Sequence, residues 1–183
     1  MNKSIKEVNY ICASLLIASS LLISCATPQK KLSREEWLNL TTHKYDSVSK
    51  EDVFKAIEKI FVLADESDTT FTHSPDSIKA VRWTAPFPVH IWYHWDCFVN
   101  QSENGVVVRV SISTTAHGFG VPGGMTPYNS EDVYKLFFSR LNYLLGESSK
   151  WYSCDEYKRE NPKHTTLEAL CMLSEDKQPD EKN

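Results

Sequence analysis

The stretch VHIWYHWDCFVNQSENGVVVRVSISTTA, residues 89–116, decides the fold. Val89, Ile91, Tyr93, Trp95, Cys97 and Val99 alternate with His90, Trp92, His94, Asp96 and Phe98, the period of two that marks a half-buried strand. Val106 to Ala116 is β-branched and alternates in the same way, with Val106, Val108, Val110 and Ile112 apolar and Arg109, Ser111, Ser113 and Thr115 between them. Glu103-Asn104-Gly105 separates the two runs. Asn-Gly is a strong hairpin signal, because both central positions of a type I′ turn need positive φ. With Asn104-Gly105 as a two-residue loop, Glu103 faces Val106, Val99 faces Val110, Cys97 faces Ile112, Trp95 faces Thr114 and Tyr93 faces Ala116. One face of this hairpin is then apolar nearly throughout, and a one-residue slip would mix the two sets.

The flanking sequence supplies what such a hairpin needs to bury that face. Ser33 with Glu36 forms the pattern of a capping box at the start of a short helix. Leu40 to Tyr45 reads as a strand. A clear helix begins at Ser49, with Val53, Ile57, Ile60, Phe61 and Ala64 as its apolar stripe. Thr69–His73 and Ile78–Thr84 read as strands around the turn Ser74-Pro75-Asp76-Ser77. Pro86 and Pro88 break the chain before Val89. His117–Tyr128 holds four of the six glycines and two prolines and is expected to be a long loop. A second amphipathic helix, capped by Asn129 or Ser130, carries Val133, Phe137, Leu141 and Leu144, and Gly146 is placed to end it in a left-handed cap. Thr165 or Thr166 is expected to open a last short helix running to Leu173. The fold class expected is therefore α+β: a two-layer sandwich, an antiparallel sheet of 3–5 strands covered on one face by two amphipathic helices. Residues 33–173 make one such domain, and the charged stretch 174–183 is expected to be disordered.

The chain has 183 residues, 20 Lys+Arg against 24 Asp+Glu, and 41% hydrophobic residues. That is enough apolar material for one core, and the acidity argues against a nucleic-acid partner. At the N-terminus, Lys3 and Lys6 precede an uncharged, mostly apolar run from Tyr10 to Ile23, too short to span a bilayer as a helix and of the length of a signal peptide. The run ends in Leu22-Ile23-Ser24-Cys25, which resembles the lipobox of bacterial lipoproteins. The resemblance implies that residues 1–24 are removed and that Cys25 carries lipid; no cofactor is expected. It also implies a chain exported and anchored to a membrane. Ala26 rather than Asp after the cysteine implies the periplasm-facing side of the outer membrane. Residues 25–32 would then be a lipidated tether, and the seven extended residues after Cys25 reach at most about 25 Å. The element order from Leu40 to Leu145 also resembles the β-α-β-β-β-α modules of envelope lipoproteins.

Cys12 leaves with the signal, so Cys97, Cys154 and Cys171 remain for an oxidising compartment. Cys154–Cys171 is the favoured pair, since it would staple a segment poor in apolar residues at about 3 kcal/mol; Cys97–Cys154 is the alternative. No Cys/His spacing suggests zinc. His90 and His94 lie about 13 Å apart along one strand and cannot share an ion, so no metal site is expected. Gly118, Gly120 and Gly123 satisfy Gly-x-Gly-x-x-Gly, but Pro122 interrupts and no βαβ unit surrounds them. Cys97 and His94 fall on opposite faces, which keeps a thiol from its base. Ser111 and Ser113 lie across from the His/Asp row without a nucleophile elbow. No catalytic residue is therefore assigned.

What remains is a possible binding face: His90, Trp92, His94, Phe98 and Arg109 on the polar side of the hairpin, with Phe119 from the glycine-rich loop. Aromatic residues and Arg are the types enriched at binding hot spots. The competing expectation is that the segment from Trp151 onward covers this face as a second small core. The function expected is a non-enzymatic, lipid-anchored envelope protein acting through contacts with an envelope protein. The alternatives are binding of a small ligand or cell-wall fragment and, behind it, an envelope hydrolase.

Overall fold

A computed structural model describes residues 32–65, 69–84, 89–118, 123–162, 167–171 and 176–179. Residues 1–24, expected to be a signal peptide, together with Cys25 and Phe119, lie outside the described residues. The described elements are α1 (Arg34–Thr41), β1 (Thr42–Asp46), α2 (Lys50–Asp65), β2 (Thr69–Ser74), β3 (Ser77–Thr84), β4 (Val89–Ser102), β5 (Gly105–Gly118), β6 (Met125–Pro127), α3 (Glu131–Leu144) and α4 (Cys154–Glu160). The sheet is antiparallel, in the order β1-β5-β4-β3-β2, with β6 also paired to β5. It is an α+β sandwich, one strand larger than the expected upper limit. The added strand is β6, three residues ending in proline, which lies in the stretch expected to be loop.

The long hairpin forms, but its register differs from the one the Asn-Gly signal implies. Ser102 pairs with Gly105, so Glu103-Asn104 is the two-residue loop. Consequently Val99 faces Val108, Cys97 faces Val110, Trp95 faces Ile112 and Tyr93 faces Thr114. Neither loop residue has positive φ, so the turn is not type I′. Gly105 is used for close approach instead. It pairs with Asp46, and a Cβ there would lie 2.0 Å from the Tyr45 carbonyl oxygen. The Ser47 N–H also donates to the Asn104 carbonyl at 2.8 Å, tying the end of β1 to the turn. The pairing has shifted by two residues, an even number, so every side chain keeps its expected face.

The apolar face carries the core. Trp95, Cys97, Val99, Val106, Val108 and Val110 are buried against α2 and α3. The stripe of α2 is buried from Val53 to Ala64, as are Val133, Leu136, Phe137 and Leu141 of α3. Phe61, Trp95 and Phe137 form an aromatic junction between sheet and helices, with ring centroids 5.0–6.1 Å apart. Helix ends follow their sequence signals at α1 and at the C-terminus of α3, whereas Ser130, the N-cap residue of α3, makes no side-chain cap hydrogen bond. Ser33 and Glu36 make the capping box of α1. Gly146, at φ 84°, closes α3 with the Gly146 N–H on the Tyr143 carbonyl and the Glu147 N–H on the Asn142 carbonyl, a Schellman pair.

The C-terminal third departs from expectation in three ways. α4 forms after a second capping box, Ser153 with Glu156. The expected helix to Leu173 is, in its described part, a single turn in which the Leu170 and Cys171 N–H groups donate to the Leu167 carbonyl. The stretch expected to be disordered from 174 onward is held at residues 176–179. Asp176 ion-pairs with the buried Arg140 and accepts from the Cys154 N–H at 2.8 Å, and the Lys177 N–H donates to the Leu63 carbonyl. A disulfide joins Cys154 and Cys171, and Cys97 is free and buried.

Candidate functional site

The outer face of the sheet is the surface that the hairpin's polar residues define. The C-terminal segment does not cover it. Ala169 and Leu170 accept hydrogen bonds from Trp95 and Arg82, both of which point to the core side, so this segment lies on the same side of the sheet as the helices. No described element lies over the outer face. The expectation of a second small core there is therefore replaced by an open sheet.

The neighbouring strands enlarge the patch beyond the hairpin residues. Trp83 of β3 pairs directly with Trp92 and is 44% exposed. Thr115 lies on the other side of Trp92, and beyond it Met125 of β6 is 65% exposed. A line of side chains thus crosses four strands: Trp83, Trp92, Thr115, Met125. The Trp92 ring also contacts His117 edge-on at 5.1 Å and lies 6.0 Å from His90. Further along the hairpin, Arg109 sits over the Phe98 ring at 5.3 Å, a cation–π pair.

The remaining polar groups of the face are engaged with one another. His94 is 2.8 Å from the Thr115 hydroxyl, and Asp96 pairs with Lys79 at 3.2 Å across the strands. Ser113 faces His94 and Ser111 faces Asp96, but the imidazole is bonded to Thr115 and the carboxylate to Lys79. Cys97 lies on the core side, where burial pushes its thiol pKa well up and keeps it protonated. Its sulfur is a small apolar group in the core.

His90, Trp92, His94, Phe98 and Arg109 therefore share one open surface. Trp83, Met125 and His117 belong to it as well. Trp83 comes from β3, His117 from the end of β5 and Met125 from β6; the signal for Trp83 and His117 was the same alternation, whereas Met125 lies in a stretch expected to be loop. A separate cleft of about 430 Å3 opens beside Ser47, with Val48, Ala56, Leu144 and Leu145 as its apolar lining and Lys55 and Lys59 at its rim. Lys55 is already paired with Glu51 at 2.8 Å.

Fold and face together define an α+β sandwich with one buried and one open aromatic sheet surface. Comparison with protein-family models, curated proteins and solved structures finds no match for this chain.

Proposed function

We propose that this chain is a lipid-anchored envelope protein with no catalytic role, which works by holding a protein partner on the outer face of its sheet. The Leu22-Ile23-Ser24-Cys25 motif supports the anchor. A diacyl or triacyl attachment at Cys25 would hold the domain stably, since each buried CH2 contributes about 0.8 kcal/mol. Ala26 supports the outer membrane, facing the periplasm, as its place.

The observation that carries the contact role is the exposed Trp83 beside the half-buried Trp92, on a sheet face that no described element covers. An open patch of large apolar groups with an Arg beside it has the chemistry of an interaction surface. An exposed sheet face favours a protein surface over a small ligand, for which concave sites are the rule.

Two measurements in the native bacterium test this reading. Labelled palmitate should enter the wild-type chain and not Cys25→Ala. A photo-crosslinking residue at position 92 should capture a discrete protein, absent when the probe sits at exposed Lys135 on the helix side. Equal labelling of Cys25→Ala would remove the anchor. Capture of glycan alone, or equal capture from both positions, would remove the protein-contact role.

A further inference from the structure

The register places two histidines opposite one another on the outer face. His90 pairs with His117 at the end of the long hairpin away from the turn. In the register that Asn-Gly implies, residue 90 would instead face residue 119, so the two-residue shift creates the juxtaposition. Both imidazoles are on exposed residues, and both contact the ring of Trp92.

We propose that His90 and His117 form a two-histidine site for a borderline divalent transition-metal ion, with copper(II) the strongest ligand of the class. Directly opposed residues of an antiparallel pair have Cβ atoms about 4.5–5.5 Å apart. An imidazole nitrogen binds such an ion at about 2.0–2.1 Å, so rotation of two exposed side chains brings one nitrogen from each ring onto a single ion. Imidazole suits copper, zinc and nickel, and copper(II) stands at the top of the affinity order. The surroundings do not oppose a cation. Lys79 and Arg109 face Asp96 and Phe98, six and eight residues along β4 from His90, about 20 Å or more away. Gly123 lies against the His117 ring, where a Cβ would come within 3.2 Å of Cε1, and so leaves that ring room.

Among the described residues no group of three or more His, Cys, Asp or Glu can hold a metal. The protein therefore contributes two ligands, and the other coordination positions are left to water or to a group from a bound partner. His94 is excluded by its separation along the strand and by its bond to Thr115.

The test titrates copper(II) into the full chain in detergent and follows tryptophan fluorescence, which a copper ion beside Trp92 quenches. One equivalent should bind, and its electron paramagnetic resonance spectrum should show coupling to two ring nitrogens. His90→Asn and His117→Asn should each weaken binding by more than the roughly tenfold loss that follows removal of an outer-shell partner. His94→Asn should leave the affinity unchanged. Trp92→Phe should keep the affinity and lose part of the quenching, the remainder coming from neighbouring Trp83. Wild-type affinity in either His90→Asn or His117→Asn, an equal loss in His94→Asn, or undiminished quenching in Trp92→Phe would overturn the assignment. All these positions are on the open face, so unchanged urea midpoints without metal separate a lost ligand from a lost fold.

Discussion

His43 sits on the core side of β1, with its ring stacked flat on Phe138 at 3.8 Å. Burial lowers its pKa below the ordinary 6.5, because the imidazolium form loses hydration there. As pH falls the unfolded chain takes up this proton before the native one does. Stability from this residue is therefore complete above pH 6.5 and declines as pH drops from 6.5 towards the lower native value. His43→Phe keeps a flat ring on Phe138 and cannot be protonated. Urea midpoints measured from pH 7.5 down to 5.5 should fall less steeply in His43→Phe than in the wild type; parallel profiles would contradict the assignment. Charge is handled differently at Arg140, which is fully buried but ionic. Its guanidinium meets the Asp176 carboxylate, donates to the Tyr152 carbonyl at 3.0 Å and lies over the Trp151 ring at 4.7 Å. Desolvation pulls its pKa down and Asp176 pulls it back up. One residue thus fixes both the segment after α3 and the tail.

At the scale of elements, the hairpin shows which signals a sequence carries plainly. The alternation in β4 and β5, the stripes of α2 and α3, the Pro75-Asp76 turn and the Gly146 cap are local, and each forms where the residues place it. The register is not local. Asn104-Gly105 favours one turn taken alone, but the end of β1 lies against Gly105 and needs a residue without a side chain there. The tertiary contact overrides the turn preference. This makes Gly105→Ala a sharp test. Its Cβ would meet backbone atoms of Tyr45 and Asp46, which no side-chain rotation can relieve. The cost should be about 1–3 kcal/mol, the range for overpacking, read from the urea midpoint. Amide protection should be lost first across β1. Gly124→Ala, with nothing within 4 Å of its Cβ, should stay within about 0.5 kcal/mol of wild type. Equal effects at the two glycines would mean that β1 does not set the register. β6 and the contacts of Asp176 were hidden for related reasons. β6 is three residues on the edge of β5, and Asp176 is held by Arg140, 36 positions earlier. α4 is the exception, since its Ser153-x-x-Glu156 box stands in the sequence and the helix was legible there.

At the scale of the whole molecule, the two faces of one sheet differ in burial, and much of the candidate site follows from that division. Once alternation assigns His90, Trp92, His94, Phe98 and Arg109 to the side away from Cys97, their common surface is fixed. Whether that surface is open was not legible, because it depends on which side the C-terminal segment takes. Arg82 and Trp95 decide this by donating to Leu170 and Ala169 from the core side. The division has an energetic consequence. Phe137 is fully buried between α2 and the sheet, so Phe137→Ala should cost about 3–5 kcal/mol through lost transfer energy and the cavity left behind. Trp83 is as large, but 44% exposed on the outer face with Trp92 as its cross-strand neighbour. Trp83→Ser should cost only what such a pair contributes, about 0.2–1 kcal/mol. It should also reduce crosslinking from position 92 in the cell, because the apolar patch shrinks while the fold remains. Urea denaturation of both variants checks the stability half of this expectation. If Trp83→Ser proves as costly as Phe137→Ala, the outer face is a second core and not a surface kept free for a partner. A small stability cost with undiminished crosslinking would move the contact away from the tryptophan pair, towards Phe98 and Arg109 further along the hairpin.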